Sequence, residues 1–95
     1  MDVYKVILSK QAEANLMKVP SHIADKLKIW VDLVESEGVM QSRKIKSYHD
    51  EPLKGKRKGQ RSIRLNKAYR AIYIERKHDG ILEFIEVQEV NKHDY

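Results

Sequence analysis

The hydrophobic period of this chain changes once, near Gln60, and that change limits the folds open to it. Upstream, apolar residues recur every three to four positions: Ala12, Leu16 and Val19, then Ile23, Leu27, Trp30, Val31 and Val34. This is the stripe of an amphipathic helix. Downstream the period falls to two. In "RSIRLN" Ile63 and Leu65 take one face while Ser62 and Arg64 take the other, and "YRAIYIE" and "ILEFIEVQEV" continue as strands. Helices first and strands afterwards predict an α+β architecture rather than an alternating α/β one.

The boundaries are marked by residues with local reasons to break a period. "VYKVILS" (Val3 to Ser9) is a β-branched run that reads as a strand, and Ser9 is placed to cap the first helix. Pro20 and Ser21 break and restart the chain, and Gly38 stops the second helix, whose Trp30 is expected in the core. A short turn falls at Asn66 to Ala68, and "HDG" (His78 to Gly80) is a hairpin signal. Val39 to Gly59 has no clear period and reads as a loop carrying one short strand at most. The predicted order is β-α-α-β-β-β, two N-terminal helices packed on a small antiparallel meander. With 95 residues the chain has material for one modest core, so residues 1–95 are expected to form a single domain.

The charge is segregated. The net charge is +5, yet Arg43 to Arg70 holds eleven Lys/Arg against Asp50 and Glu51 alone. That segment carries +9 and the remainder −4, which predicts one cationic face and a polyanionic partner. The chain has no cysteine, which excludes disulfides and thiol chemistry. The apolar run at the N-terminus is too short for a signal peptide and no stretch approaches a membrane span, so the expected location is the cytoplasm and no membrane partner is expected. His22, His49, His78 and His93 lack close ligand spacing, and no metal site is expected. "GKRKG" (Gly55 to Gly59) has three residues between its glycines where a nucleotide-binding loop needs four, and Gln60 stands where Lys should follow. It reads instead as a basic loop for nucleic-acid backbone, with Lys54, Lys56, Arg57, Lys58 and Arg61 as the RNA-contacting cations. From composition alone Glu51 fits a salt bridge to a neighbour as well as it fits catalysis.

"EPLKG", then "GQRSIRLNKAYRAIY", then a chain ending "KHDY", resemble the RelE/ParE toxin superfamily, nearest to its YoeB- and HigB-type members. The resemblance implies a RelE-like fold and a toxin of a type II toxin–antitoxin system. It further implies a cofactor-free, metal-independent endoribonuclease that cuts mRNA on the ribosome and is neutralised by a cognate antitoxin. Carried over by position, it marks Glu51 as general base and Arg64 and Arg70 as the groups that hold the scissile phosphate. His93 and Tyr95 fall where the family keeps a histidine and a tyrosine for acid chemistry or base stacking, although here Asp94 separates them. Two other readings use the same cationic face: a ParE-type inhibitor of DNA gyrase, and a nucleic-acid-binding module without catalysis.

Overall fold

The computed structural model describes residues 2–92. Strand β1 (Val6–Leu8) leads into helix α1 (Lys10–Leu16), whose N-terminus is capped as the sequence predicts: Ser9 Oγ accepts from the Ala12 amide at 3.0 Å. Helix α1 is a turn shorter than the apolar spacing suggested, and Val19 packs against the core from the turn that follows. Helix α2 (Ser21–Glu37) buries Ile23, Leu27, Trp30 and Val34 on one stripe. It ends at Gly38, where φ is +90° and a Cβ would stand 2.2 Å from the Asp2 carboxylate. A side chain there would meet both backbone strain and a clash, which is why glycine stops the helix.

The stretch from Val39 to Gly59 is more structured than a loop. It contains helix α3 (Val39–Ser42), a 3-10 turn at Lys46–Tyr48, strand β2 (Glu51–Pro52) and a second 3-10 turn at Gly55–Arg57. None of these is long enough to show a hydrophobic period, so the sequence signal is absent for a physical reason. Strands β3 (Gln60–Arg64), β4 (Tyr69–His78) and β5 (Ile81–Lys92) form the expected antiparallel meander. The β4–β5 turn is Asp79-Gly80, with φ of +51° and +76°, the left-handed pair that a two-residue hairpin requires.

Among the described residues the sheet has five strands in the order β1-β5-β4-β3-β2, with β1 parallel to β5 and every other pair antiparallel. The helices cover one face. There Trp30 meets Tyr73 at 5.3 Å between ring centroids, and Ile63, Leu65, Ala71, Ile85, Val87 and Val90 complete the core. The opposite face carries the alternate residues of the same strands, and the candidate site is built on it.

Candidate functional site

The hairpin "IRLNKAYR" sets the centre of the site. Asn66 turns the chain: its Oδ1 accepts from the amides of Ala68 at 2.7 Å and Tyr69 at 2.8 Å, while the Leu65 amide donates to the Tyr69 carbonyl at 2.9 Å. This side chain-directed turn fixes the register so that Arg64 lies directly opposite Arg70, with Ser62 opposite Ile72. Two guanidinium-bearing residues thus face each other on the sheet surface away from the helices. Directly opposed like charges weaken a sheet, so this pair is not explained by folding.

Strand β2 supplies the acid. Glu51 pairs in register with Ser62, which puts its side chain on the same face as Arg64 and Arg70. His49 precedes it in a left-handed conformation, φ +46° and ψ +49°, and its Nε2 lies 3.3 Å from Glu51 Oε2. His49, Glu51, Ser62, Ile63, Arg64, Tyr69 and Arg70 line one open pocket of about 40 Å³. That is far below the roughly 300 Å³ at which a pocket encloses a small-molecule ligand. It is a seat for a small anionic group on something larger lying across the surface.

Arg70 is held for such a role. Its Nε donates to Asn91 Oδ1 at 3.1 Å, and Asn91 in turn donates to Glu89. Anchoring through Nε leaves the two terminal nitrogens without a hydrogen-bond partner among the described residues, at the wall of the pocket. Arg64 is exposed and makes no side-chain hydrogen bond among the described residues. The structure therefore brings together Glu51, Arg64 and Arg70 from three strands. It adds His49, which the sequence left without a role, and Tyr69 at the pocket wall. His93 and Tyr95 lie outside the described residues.

The basic loop divides into two groups. Lys54, Lys56 and Lys58 are exposed and unpaired among the described residues. Arg57 instead folds onto the sheet, donating to Glu89 at 3.0 Å and to Gln60 at 3.1 Å. Arg61 departs further from the expected RNA contact. It lies opposite Tyr73, on the helix-covered side of the sheet, and its Nε donates to Asp50 at 2.8 Å. The Asp50 side chain is wholly buried, and Tyr73 donates to its second oxygen at 2.6 Å. Burial and the neighbouring Asp50 carboxylate both push the Tyr73 phenol well above the usual tyrosine range, so it stays a donor. Arg43 closes the chain, donating to the Tyr73 hydroxyl at 3.2 Å and to Glu75 at 3.1 Å. Of the eleven cations in the basic segment, Arg43, Arg57 and Arg61 are ion-paired; the other eight have no acidic partner among the described residues.

Helices on one face of a five-stranded sheet and a cationic pocket with a glutamate on the other define the class: a RelE-type toxin fold. The chain belongs to the HigB-like family, RelE-like toxins of type II toxin–antitoxin systems, whose family model matches residues 8–88. Solved structures agree on the fold. YafQ from Escherichia coli strain BL21(DE3) superposes with a TM-score of 0.71 at 18% identity, covering 94% of this chain and 92% of its own. A YoeB/ParE toxin from Agrobacterium tumefaciens gives 0.67 at 16% identity, covering 95% and 99%. The RelBE2 toxin–antitoxin complex from Mycobacterium tuberculosis gives 0.63 at 19% identity, covering 95% and 98%. A search of curated protein sequences returns no match.

Proposed function

We propose that this toxin is an endoribonuclease that cleaves mRNA bound to the ribosome. The observation that carries the reading is the pocket in which Glu51, Arg64 and Arg70 converge beside His49. Cleavage by internal attack needs a base for the ribose 2′-hydroxyl, cations for the charge growing on phosphorus, and an acid for the departing 5′-oxygen. Glu51 takes the 2′-hydroxyl proton as the O2′–P bond forms. Arg64 and Arg70 hold the non-bridging oxygens as the P–O5′ bond breaks, leaving a cyclic phosphate and a free 5′-hydroxyl. The proton for the 5′-oxygen comes from an acid, for which the pocket offers His49 or Tyr69 and the resemblance offers His93 or Tyr95.

The openness of the site supports dependence on the ribosome. Glu51 is 54% exposed and His49 59% exposed, so the pocket excludes little water and does not itself bend an RNA strand into in-line geometry. A scaffold that bends the message supplies what the pocket lacks. The exposed lysines fit the phosphates of such an RNA-rich scaffold. A cognate antitoxin that covers the unpaired cations with acidic residues would silence the protein; the RelBE2 and DinJ–YafQ structures are toxin–antitoxin complexes of fold relatives.

The test is induction in cells followed by mapping of RNA 5′ ends. The expected result is growth arrest with new 5′-hydroxyl ends inside translated reading frames, absent when Glu51→Gln is induced. Intact transcripts with accumulating gyrase-dependent DNA breaks would replace this reading with the ParE-type one.

A further inference from the structure

The buried carboxylate of Asp50 has no part in the chemistry above, yet it stands between the two residues that do. We infer that Asp50, clamped by Arg61 and Tyr73, is the positioning residue that holds Glu51 over the pocket. The inference rests on the reading of the site given under Proposed function.

The strand that carries Glu51 gives it little support of its own. Strand β2 is two residues long and lies at the edge of the sheet, with both residues exposed. Its second residue is Pro52, which has no amide hydrogen to give the ladder. A two-residue edge strand ought to fray, and a base displaced by about 1 Å loses about 10²-fold in rate. Asp50 supplies the missing restraint. Its side chain is 0% exposed and both carboxylate oxygens are occupied, one by Arg61 Nε and the other by the Tyr73 hydroxyl. Tyr73 is itself fully buried, packed at a tilt against Trp30 in the core and bonded by Arg43. Residues alternate across a strand, so fixing Asp50 toward the core turns Glu51 toward the pocket. The left-handed backbone at His49 then brings its ring back to the Glu51 carboxylate. The interior is thus wired to the catalytic edge through one carboxylate. Arg61 acts from within this clamp, as an anchor on the far side of the sheet.

The test is a rate cycle measured by single-turnover cleavage of mRNA on saturating ribosomes, with ribosome affinity and thermal midpoint recorded for each variant. Asp50→Asn keeps the volume but loses the charge that accepts from both donors. It is expected to slow cleavage at least 10-fold at saturation while ribosome affinity changes less than 2-fold. In a Glu51→Gln background the same change should have no further effect, because a positioning residue acts only through the group it positions. Tyr73→Phe removes one donor and leaves Arg61, so a smaller loss with the same dependence on Glu51 is expected; it carries the test if Asp50→Asn does not fold. A folded Asp50→Asn or Tyr73→Phe that cleaves at the parent rate, or that slows the Glu51→Gln protein as much as the parent, overturns the inference. If Glu51→Gln itself cleaves at the parent rate, the reading of the site has failed, a different outcome visible in the same data.

Discussion

Arg64 and Arg70 oppose each other across β3 and β4, a juxtaposition that costs the fold and that the proposed cleavage would account for. Replacing Arg64 by Ala should relieve like-charge repulsion worth roughly 0.2–1 kcal/mol across such a strand pair, and should remove a donor needed mainly in the transition state. Losing one such donor typically costs ~10²–10³-fold in rate. Arg64→Ala is therefore expected to be at least as stable as the parent in urea and far less active in single-turnover cleavage. A loss of stability together with unchanged cleavage would reverse both assignments. At this scale the sequence was informative where chemistry repeats a spaced pattern: Glu51, Arg64 and Arg70 sit in stretches whose order and spacing carry the resemblance. It gave no role to Asp50 and left His49 open. An aspartate next to a glutamate looks like another solvated acid, and only the fold shows that Asp50 points inward to a tyrosine 23 positions away. The pairing of Arg61 with Asp50 is hidden for the same reason, since the partner is invisible until the chain around β2 is laid against β3.

Elements with their own period were legible, and those held by distant contacts were not. Helix α2 and strands β3 to β5 show their apolar spacing in the chain. Helix α3 and strand β2 exist because of what they touch: Asp2 Oδ1 accepts from the Met40 amide at 3.1 Å, and β2 lies on β3. The parallel seat of β1 beside β5 is likewise a matter of topology, which a short apolar run cannot announce. The β3–β4 hairpin is the element that joins legible sequence to site geometry, and Asn66 is its determinant. Asn66→Ala strips the acceptor from two backbone amides, each such bond being worth about 0.5–1.5 kcal/mol. A loss of about 1–2 kcal/mol is expected, measured as a lower urea midpoint with unchanged slope. Cleavage should fall too, because the turn sets the Arg64–Arg70 register, whereas Asn66→Asp keeps the oxygen and should retain most of both. If Asn66→Ala unfolds at the parent's midpoint, the flanking strands rather than the side chain define the turn.

Across the whole molecule, charge and geometry are arranged in two layers. Within the basic segment, the arginines that bond to acids lie inward or flat on the sheet, fixing structure: Arg43 to Glu75, Arg57 to Glu89, Arg61 to Asp50. The lysines of the same segment are exposed and keep their charge for a partner. Sequence composition could show the excess of cations but not this division of labour, because pairing depends on which acids the fold brings near. The division has a measurable consequence. Lys56 lies within the 3-10 turn that Arg57 pins to the sheet and Lys58 directly follows it, so both are presented on a fixed support rather than a free loop. Removing one lysine–phosphate ion pair should lower the slope of log affinity against log salt by roughly 0.7–0.9. Lys56→Ala and Lys58→Ala are therefore each expected to weaken ribosome binding and flatten its salt dependence by about that amount. Cleavage of message already bound should proceed at the parent rate, since neither lysine lines the pocket. Arg57→Ala tests the support itself: it should weaken binding although its own guanidinium is already paired. Measured over a salt series on isolated ribosomes, an unchanged slope in Lys56→Ala and Lys58→Ala would place the ribosome-facing surface elsewhere on the molecule.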